Sequence, residues 1–248
     1  MHIYLSIDDT DNLESPGSGH LADVMAKELQ HLGLTSQCSN ITRHQLFVHE
    51  SIPYTSHNSS MCFSAVIGEN SLSDVIQFAK KFLEKASAPG SDPGLCVAVS
   101  KEALDRKALI DFGLKAKQAV ITKQDAYSLA QRTGVHLSEH GGTGDGIVGA
   151  LAGIGLRLHG SDGRFRGWLD LGIAGQTTDP KFLCSHPAVD AVVDDERNVL
   201  PEDTQIVFAE NKVKTVLLNH CQVIPVTRTG NVGEPAWTTL TKPEAKRF

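Results

Sequence analysis

The hydrophobic and polar positions along the chain follow two periods. Apolar residues alternate over 3–7, which predicts an N-terminal strand. A polar loop over 8–19 follows, and apolar residues then recur at spacings of three and four over 21–32, which predicts a helix ending near Gly33. The chain therefore opens as strand, polar loop and helix.

The same two periods continue through both halves of the chain. In the first half we expect strands at 36–40, 45–49, 62–67, 95–99 and 119–121, and helices at 72–83, 104–112 and 125–132. After Gly134 a glycine-rich segment precedes a predicted helix over 147–158. Short strands are expected at 165–173, 188–193, 204–208, 215–218 and 222–226. The pattern predicts an α/β (α+β) fold with two mixed domains, 1–133 and 134–248, whose halves could interleave.

Composition narrows the class of protein. The 248 residues are 40% hydrophobic and 21% charged, which is typical of globular proteins. No apolar run reaches the ~18 residues of a membrane span, and no signal peptide is evident, so we expect a cytoplasmic protein and no membrane partner. Five scattered cysteines argue against a disulfide framework or a zinc ribbon. The net charge of −6 argues against strong intrinsic nucleic-acid binding.

The acidity is concentrated around the first loop. Residues 1–26 contain five acidic residues and no Lys or Arg. Asp8, Asp9 and Asp11 follow the first predicted strand directly, and three such close carboxylates repel one another unless a cation is present. Hard oxygen ligands suit Mg²⁺, which commonly bridges to phosphates. The alternative is a solvated Asp-rich turn.

Two glycine-rich segments offer backbone N–H groups to an anion. The first contains Gly17, Ser18 and Gly19 at the start of the first predicted helix, where Ser18 could contact a phosphate or serve as the N-cap. The second runs over 141–146. Within the following helix, Gly149 predicts a close approach by a ligand or by another backbone.

These motifs resemble the archaeal tRNA-Ile agmatinylcytidine synthetase family. The match begins with Ile7-Asp8-Asp9-Thr10-Asp11 and a glycine-containing loop. Weaker matches are Ile52-Pro53-Tyr54-Thr55 and Ser91-Asp92-Pro93-Gly94. The segment from Gly144 to Gly155 is similar to a family helix that begins Gly-Leu-Ile-Gly-Ala-Leu-Ala. The resemblance implies a kinase-like domain followed by a ferredoxin-like domain.

The resemblance also implies ATP- and Mg²⁺-dependent chemistry, as in a phosphotransferase or ligase that is kinase-like. In that family a cytidine base oxygen is phosphorylated and agmatine then displaces the phosphate. Ser18 falls where the family has a phosphorylated Thr. The catalytic residues implied are Asp8, Asp9, Asp11 and Ser18, with the three aspartates as metal ligands. The cofactor-binding residues implied are Thr10, Gly17, Gly19, His57, Asn58, Gly141, Gly142, Thr143, Gly144 and Asp145.

Two departures from the family affect the expected substrate. The Lys, Arg and Gly of the family's Pro-Trp-Lys-Thr-Arg-Gly segment are replaced at 55–58, so two cations are missing. We also expect no room for the nucleic-acid-binding modules that the family carries at its C-terminus. The sequence therefore predicts an enzyme whose partners are a nucleotide and a small molecule or nucleoside, and leaves its oligomeric state open.

Three other interpretations are open. One is an RNA-modifying enzyme, acting in tRNA modification with a separate RNA-binding partner. A second is a non-catalytic nucleotide-binding protein. The third is a haloacid-dehalogenase-like phosphatase with Asp9 as nucleophile and Asp11 as acid, which is disfavoured because Leu13 stands where that family has Thr or Val.

Overall fold

A computed structural model describes residues 1–52, 58–229 and 236–246 of the chain, which divides into two units, Met1–His159 and Gly160–Phe248. The first unit contains β1 (His2–Asp8), α1 (Ser18–His31), β2 (Gln37–Cys38), β3 (Thr42–Gln45), β4 (Ser59–Val66), α2 (Leu72–Ala86), β5 (Gly94–Val99), α3 (Arg106–Ala116), α4 (Lys123–Thr133), β6 (His136–Glu139) and α5 (Gly146–His159). The predicted α+β fold is confirmed.

Strand β1 lies at the centre of the sheet of the first unit. It pairs antiparallel with β4 on one side and with β5 on the other. Strands β2 and β3 both pair with β4, and β6 pairs with β5, again antiparallel. Because these pairs are antiparallel, the end of β1 meets the start of β5, and Asp8 lies opposite Gly94.

The two faces of this sheet are covered differently. Helices α1 and α2 bury the apolar alternation of β1 in one core, which contains Ile3, Leu5 and Leu83. The other face is covered by α3, α4 and α5, whose core includes Leu109 and Leu151. The alternation that predicted β1 therefore specifies one face, and its polar positions, among them Ser6 and Asp8, lie on the face of α5.

The glycines of α5 explain how that helix lies on a polar strand. A Cβ at Gly153 would come within 2.5 Å of the Ser6 Oγ and 2.6 Å of the Ser60 Oγ. Those two hydroxyls are buried and lie 3.1 Å apart. The hydroxyl groups of the strands occupy the space that side chains of α5 would otherwise fill. Helix α5 therefore approaches the strands closely, as its glycine content predicted.

The second unit is a smaller mixed sheet with short helices. It contains β7 (Arg164–Phe165), β8 (Thr177–Thr178), α6 (Pro180–Leu183), β9 (Ala191–Val193), β10 (Ile206–Val207), β11 (Val216–Leu218), β12 (Cys221–Arg228), β13 (Trp237–Thr239) and α7 (Lys242–Ala245). Strand β12 pairs antiparallel with β11 and β13 and parallel with β9. Phe208, Ile206 and Ile224 are fully or almost fully buried in its core.

Several elements differ from the prediction. The boundary was expected near 134, but the first unit extends to His159 because α5 packs on β1 and β5. The strand expected at 45–49 is β3, which ends at Gln45. Residues 119–121 were expected to form a strand but form a bend and an irregular segment, and the edge strand β6 was missed. The names kinase-like and ferredoxin-like stay predictions.

Candidate active site

The acidic loop begins where β1 ends. Asp8 is its first residue, with only 8% of its surface exposed. Its carboxylate lies directly against the Cα of Gly149, because a Cβ there would overlap the Asp8 Oδ2. Burial, followed by the charge of Asp9, raises the pKa of Asp8 to about 8. Close approach of α5 therefore holds a carboxyl group at the inner end of the site.

Asp9 turns the chain away from the sheet. Its φ of 51° is in the left-handed region, which aspartate tolerates better than most residues. Burial raises its pKa to about 6, with further contributions from the charges of Asp92, Asp11 and Asp145. Carboxylates from three separate segments of the chain therefore meet at this loop. The sequence showed directly only those of Asp8, Asp9 and Asp11.

Ser18 belongs to a buried hydroxyl network. Its Oγ donates to the Asp11 Oδ1 at 2.6 Å and accepts from the Thr10 Oγ1 at 2.9 Å and from the Thr10 N–H at 3.2 Å. The sequence alternative that Ser18 is the N-cap is wrong, since Gly17 is the N-cap of α1 and no side chain caps the helix there. Ser18 instead fixes the acidic loop on the first turn of α1.

In the second glycine-rich segment, backbone N–H groups are already hydrogen-bonded to a carboxylate. Asp92 accepts hydrogen bonds at its Oδ1 from the backbone N–H of Thr143 and from that of Gly144, the latter at 3.3 Å. The carbonyl of Asp92 accepts from the Gly146 N–H at 3.1 Å. These N–H groups were expected to bind a phosphate, but they hold the loop to the start of β5. A phosphate would have to displace Asp92 to reach them.

A cavity of about 300 Å³ opens beside the acidic loop. Of the site residues predicted from sequence, its lining contains Asp8, Asp9, Asp11, Asn58 and Asp145. Its described lining does not contain Thr10, Gly17, Ser18, Gly19, Gly141, Gly142, Thr143 or Gly144. His57 lies outside the described residues, as do 53–55 of the weak family match. The structure thus brings the acidic residues to one space, together with Asp145 and Gly146 at the end of the second glycine-rich segment. The first glycine-rich segment and residues 141–144 are absent from the described lining.

The remaining walls combine apolar surface and one lysine. Leu46, Ile52 and Val148 line the cavity, and residues 119–122 form a further wall. Lys123, at the start of α4, also lines it, and its Nζ donates to the Glu139 Oε1 at 3.1 Å. The cavity therefore has an acidic end, an apolar wall and a cation at its rim.

A second cation lies behind the acidic loop. The Arg43 Nε donates to the Oγ of Ser59, a lining residue, at 2.8 Å. Burial lowers the pKa of Arg43 from its usual range, while the charge of Asp11 opposes that shift. Sequence reasoning missed Arg43, Asp92 and Lys123 because they are far from the loop along the chain. Asp92 belongs to the weak family match Ser91-Asp92-Pro93-Gly94, which was a signal that could have assigned it to the site.

The carboxylates that line the cavity suit a hard cation, but only one that also keeps water or phosphate ligands. Across 1–52, 58–229 and 236–246, no three His, Cys, Asp or Glu side chains are arranged to hold a metal ion together. Asp9, Asp11 and Asp145 nevertheless line the same cavity. Mg²⁺ commonly takes one or two protein carboxylates and completes its shell with water and phosphate oxygens. The residues fit that mode of binding and do not fit an all-protein cage.

Within the described parts of the chain, no helix combines the length and apolar character required to cross a bilayer.

The fold is of the kind seen in TiaS structures, which share its α+β architecture at low sequence identity. A complex of TiaS with an isoleucine tRNA and ATP superposes with a TM-score of 0.53 and 16% identity, covering 82% of this chain and 50% of that chain. Apo TiaS, an agmatidine synthetase for that tRNA, gives a TM-score of 0.52, also at 16% identity, covering 81% and 48%. At such identities the likeness establishes the fold alone.

Two further proteins are similar to part of this chain. A tRNA fluorescent labeling enzyme gives a TM-score of 0.53 at 20% identity, covering 62% of this chain and 36% of that chain. The uncharacterized protein MJ0921 of Methanocaldococcus jannaschii is 29% identical over 158 residues, 63% of this chain. The chain spans 50% of the length of that relative. No protein-family model matches.

Proposed function

We propose that the chain is an ATP- and Mg²⁺-dependent phosphotransferase or ligase that acts on a small molecule or a nucleoside. The observation that carries this proposal is the meeting of Asp9, Asp11 and Asp145 in one cavity of about 300 Å³. The fold supports it, because the similar TiaS structures include complexes with ATP, and with AMPCPP and agmatine.

Each part of the cavity has a role in this proposal. One or two of the carboxylates of Asp9, Asp11 and Asp145 would hold Mg²⁺, which when bound neutralises phosphate charge and orients the phosphates. Lys123 at the rim would pair with a phosphate oxygen, replacing one of the cations absent from 55–58. The apolar wall would contact the base or the acceptor. Phosphoryl transfer depends mainly on positioning and charge neutralisation, which these groups supply.

Ser18 would act through Asp11 in this scheme. Its hydroxyl donates to the Asp11 Oδ1 and is held by Thr10, and it is absent from the described lining of the cavity. These contacts support a positioning role, and direct contact with the nucleotide would require the loop to move.

The test is calorimetric titration of Mg²⁺ and AMPCPP into the protein and its variants. We expect binding that weakens at least tenfold in Asp9→Asn and in Asp11→Asn. The matched control is Asp111→Asn, because Asp111 is an exposed aspartate of α3 paired with Lys107 outside the cavity. Absence of binding, or equal binding by all four proteins, would refute the proposal.

A second candidate is an RNA-modifying enzyme that relies on a separate RNA-binding partner. It is favoured by one observation, that the similar structures include a tRNA complex and a tRNA labeling enzyme. Filter binding of tRNA at low and high salt separates the two candidates, because phosphate contacts weaken steeply with salt. Tight, salt-sensitive binding by this chain alone would contradict a small-molecule substrate and would also show that no separate RNA-binding partner is needed. Nucleotide binding without ATP turnover would instead indicate a non-catalytic nucleotide-binding protein.

A further inference from the structure

A row of polar side chains lies along the edge strand β6, away from the cavity. His136 and Ser138 alternate along β6, and His140 continues the row just beyond it, so the three share one face. The His136 Nε2 lies 2.9 Å from the Ser138 Oγ, and the His140 Nε2 lies 2.7 Å from the same oxygen. One hydroxyl is thus held between two imidazoles.

This row lies on the opposite face of the sheet from the proposed nucleotide site. Ser138 pairs with Leu95 of β5, and Leu95 belongs to the core under α1 and α2. Side chains of paired residues share a face. Asp8 and Gly149, by contrast, lie on the face of α5. The row is therefore independent of the function proposed above.

Helix α2 supplies a carboxylate behind His140. The His140 side chain is only 1% exposed, and its buried Nδ1 lies 3.7 Å from the Glu84 Oε1 and has no hydrogen-bond partner among the described residues. A carboxylate accepts and cannot donate, so the proton of the neutral ring belongs on Nδ1, facing Glu84. A small movement of the 59% exposed Glu84 side chain would close that hydrogen bond.

The direction of the remaining hydrogen bonds then follows. With its proton on Nδ1, the His140 Nε2 is an acceptor, and the Ser138 hydroxyl must donate to it. The lone pairs left on that hydroxyl accept from the His136 Nε2–H. Burial, then the charge of Lys80, holds the pKa of His136 below its usual range, and burial has the same effect on the pKa of His140. Both rings are therefore neutral near pH 7.

We infer that Ser138 is a nucleophile toward activated carboxylic esters, with His140 as its general base and Glu84 as the residue that positions His140. Serine nucleophiles are recognised by this geometry and not by position in the sequence. Ser138 is half-buried on β6, which lies at the edge of the sheet, and we expect a small ester to approach its hydroxyl from that edge.

The proposed reaction is the hydrolysis of an ester, and water is its only co-reactant. The Ser138 Oγ bonds to the ester carbonyl carbon as its proton passes to the His140 Nε2. The bond from that carbon to the alcohol oxygen breaks, and His140 returns the proton to the departing alcohol. Water then attacks the acyl-serine through the same base, which releases the acid and restores the Ser138 hydroxyl.

The experiment is labelling of the full-length protein with a fluorophosphonate, followed by peptide mapping. There the Oγ–P bond forms and the P–F bond breaks, with the serine proton passing to His140. We expect modification at Ser138 in the native protein, none after heat denaturation, none in Ser138→Ala, and unchanged labelling in Ser128→Ala. Ser128 is the matched control because its hydroxyl donates to the Gln124 carbonyl and, in the part of the chain that the structure describes, bonds to no imidazole.

Wild-type labelling needs no variant to fold, so its result decides the proposal. Labelling at another serine, or none, would mean that the row only satisfies polar groups at the sheet edge, and would overturn the inference. His140→Asn should slow labelling about a hundredfold, the lower range for removal of a general base. Hydrolysis of p-nitrophenyl acetate should follow the same order among the variants.

Glu84→Gln tests positioning separately from packing. The Glu84 charge raises the pKa of His140. Its removal should move the midpoint of the labelling rate against pH to a lower pH and slow labelling about tenfold at the plateau. Loss of packing alone would lower the rate without moving the midpoint, and that result would contradict the role given to Glu84.

Discussion

The two faces of the sheet in the first unit are packed in different ways. On the side of α1 and α2, Leu5 and Leu83 fill volume, and such a core tolerates exchange among apolar side chains of similar size. On the side of α5, buried carboxyl and hydroxyl groups of Asp8 and Ser6 lie against glycines. At Gly149 and Gly153 an added Cβ would collide with those groups. One strand thus combines a permissive core with a close fit around the candidate site.

The largest effect should come from Gly94→Ala. A Cβ there would overlap the backbone of Gly146 and Ile147, and a backbone cannot move aside as a side chain can. We expect misfolding, or a loss of more than about 4 kcal/mol in the free energy of unfolding, measured by urea denaturation. The control on the apolar face, Leu83→Ala, should cost about 2–5 kcal/mol and leave a folded protein. A stable Gly94→Ala protein would remove the distinction between the faces.

The next effect is a coupling between Gly149 and Asp8. Gly149→Ala should cost about 1–3 kcal/mol because its Cβ would overlap the Asp8 carboxylate. In an Asp8→Ala background that collision is largely relieved. A double-mutant cycle by urea denaturation should therefore give an interaction energy of about 1–3 kcal/mol. Additive effects would show that the carboxylate does not set the spacing of α5.

Stability should also depend on pH through the α5 face. The pKa of Asp8 is raised from 3.8 to about 8, and that of Asp9 from 3.8 to about 6. Between these values the folded state binds more protons than the unfolded state, so the free energy of unfolding falls as pH rises from about 4 to about 8. Thermal melts without Mg²⁺ should show this slope in the wild type and a flatter one in Asp8→Asn. An equal slope in both proteins would contradict the raised pKa of the buried Asp8 carboxyl.

The smallest effect concerns a carboxylate with an ordinary structural role. Asp105 is the N-cap of α3, and its Oδ1 accepts from the Ala108 N–H at 3.0 Å. Asp105→Ala should cost about 1 kcal/mol in urea denaturation and leave AMPCPP binding unchanged. Weakened nucleotide binding in this variant would mean that the acidic site extends beyond the cavity.

Local patterns were enough to predict much of the fold. The alternation over 3–7 and the stripe of α2 each match an observed element, because both reflect burial of one face. Strand β6 was missed since its four residues mix polarity at a sheet edge. The apolar run over 119–121 was assigned to a strand, but it lines the cavity. Local periodicity alone does not distinguish a wall of a cavity from a strand.

The candidate site was only partly accessible to sequence reasoning. Asp8, Asp9 and Asp11 are close together in the sequence, so their charge density was visible directly. Asp92 and Lys123 reach the same region through chain topology, which no local window contains. Ligand sites at the carboxyl ends of strands are typical of parallel sheets, whereas β1 pairs antiparallel with both of its neighbours. The loop lies at the site because β1 ends where β5 begins.

Lys123 connects the rim of the cavity to the segment behind it. Its Nζ donates both to the Glu139 carboxylate and to the Thr143 carbonyl, while a capping box formed by Thr122 and Asp125 fixes the helix that carries it. A phosphate that drew the ammonium group inward would weaken both hydrogen bonds. Phosphate binding in the cavity would then be detectable as faster amide hydrogen exchange in residues 141–144, before any chemistry takes place.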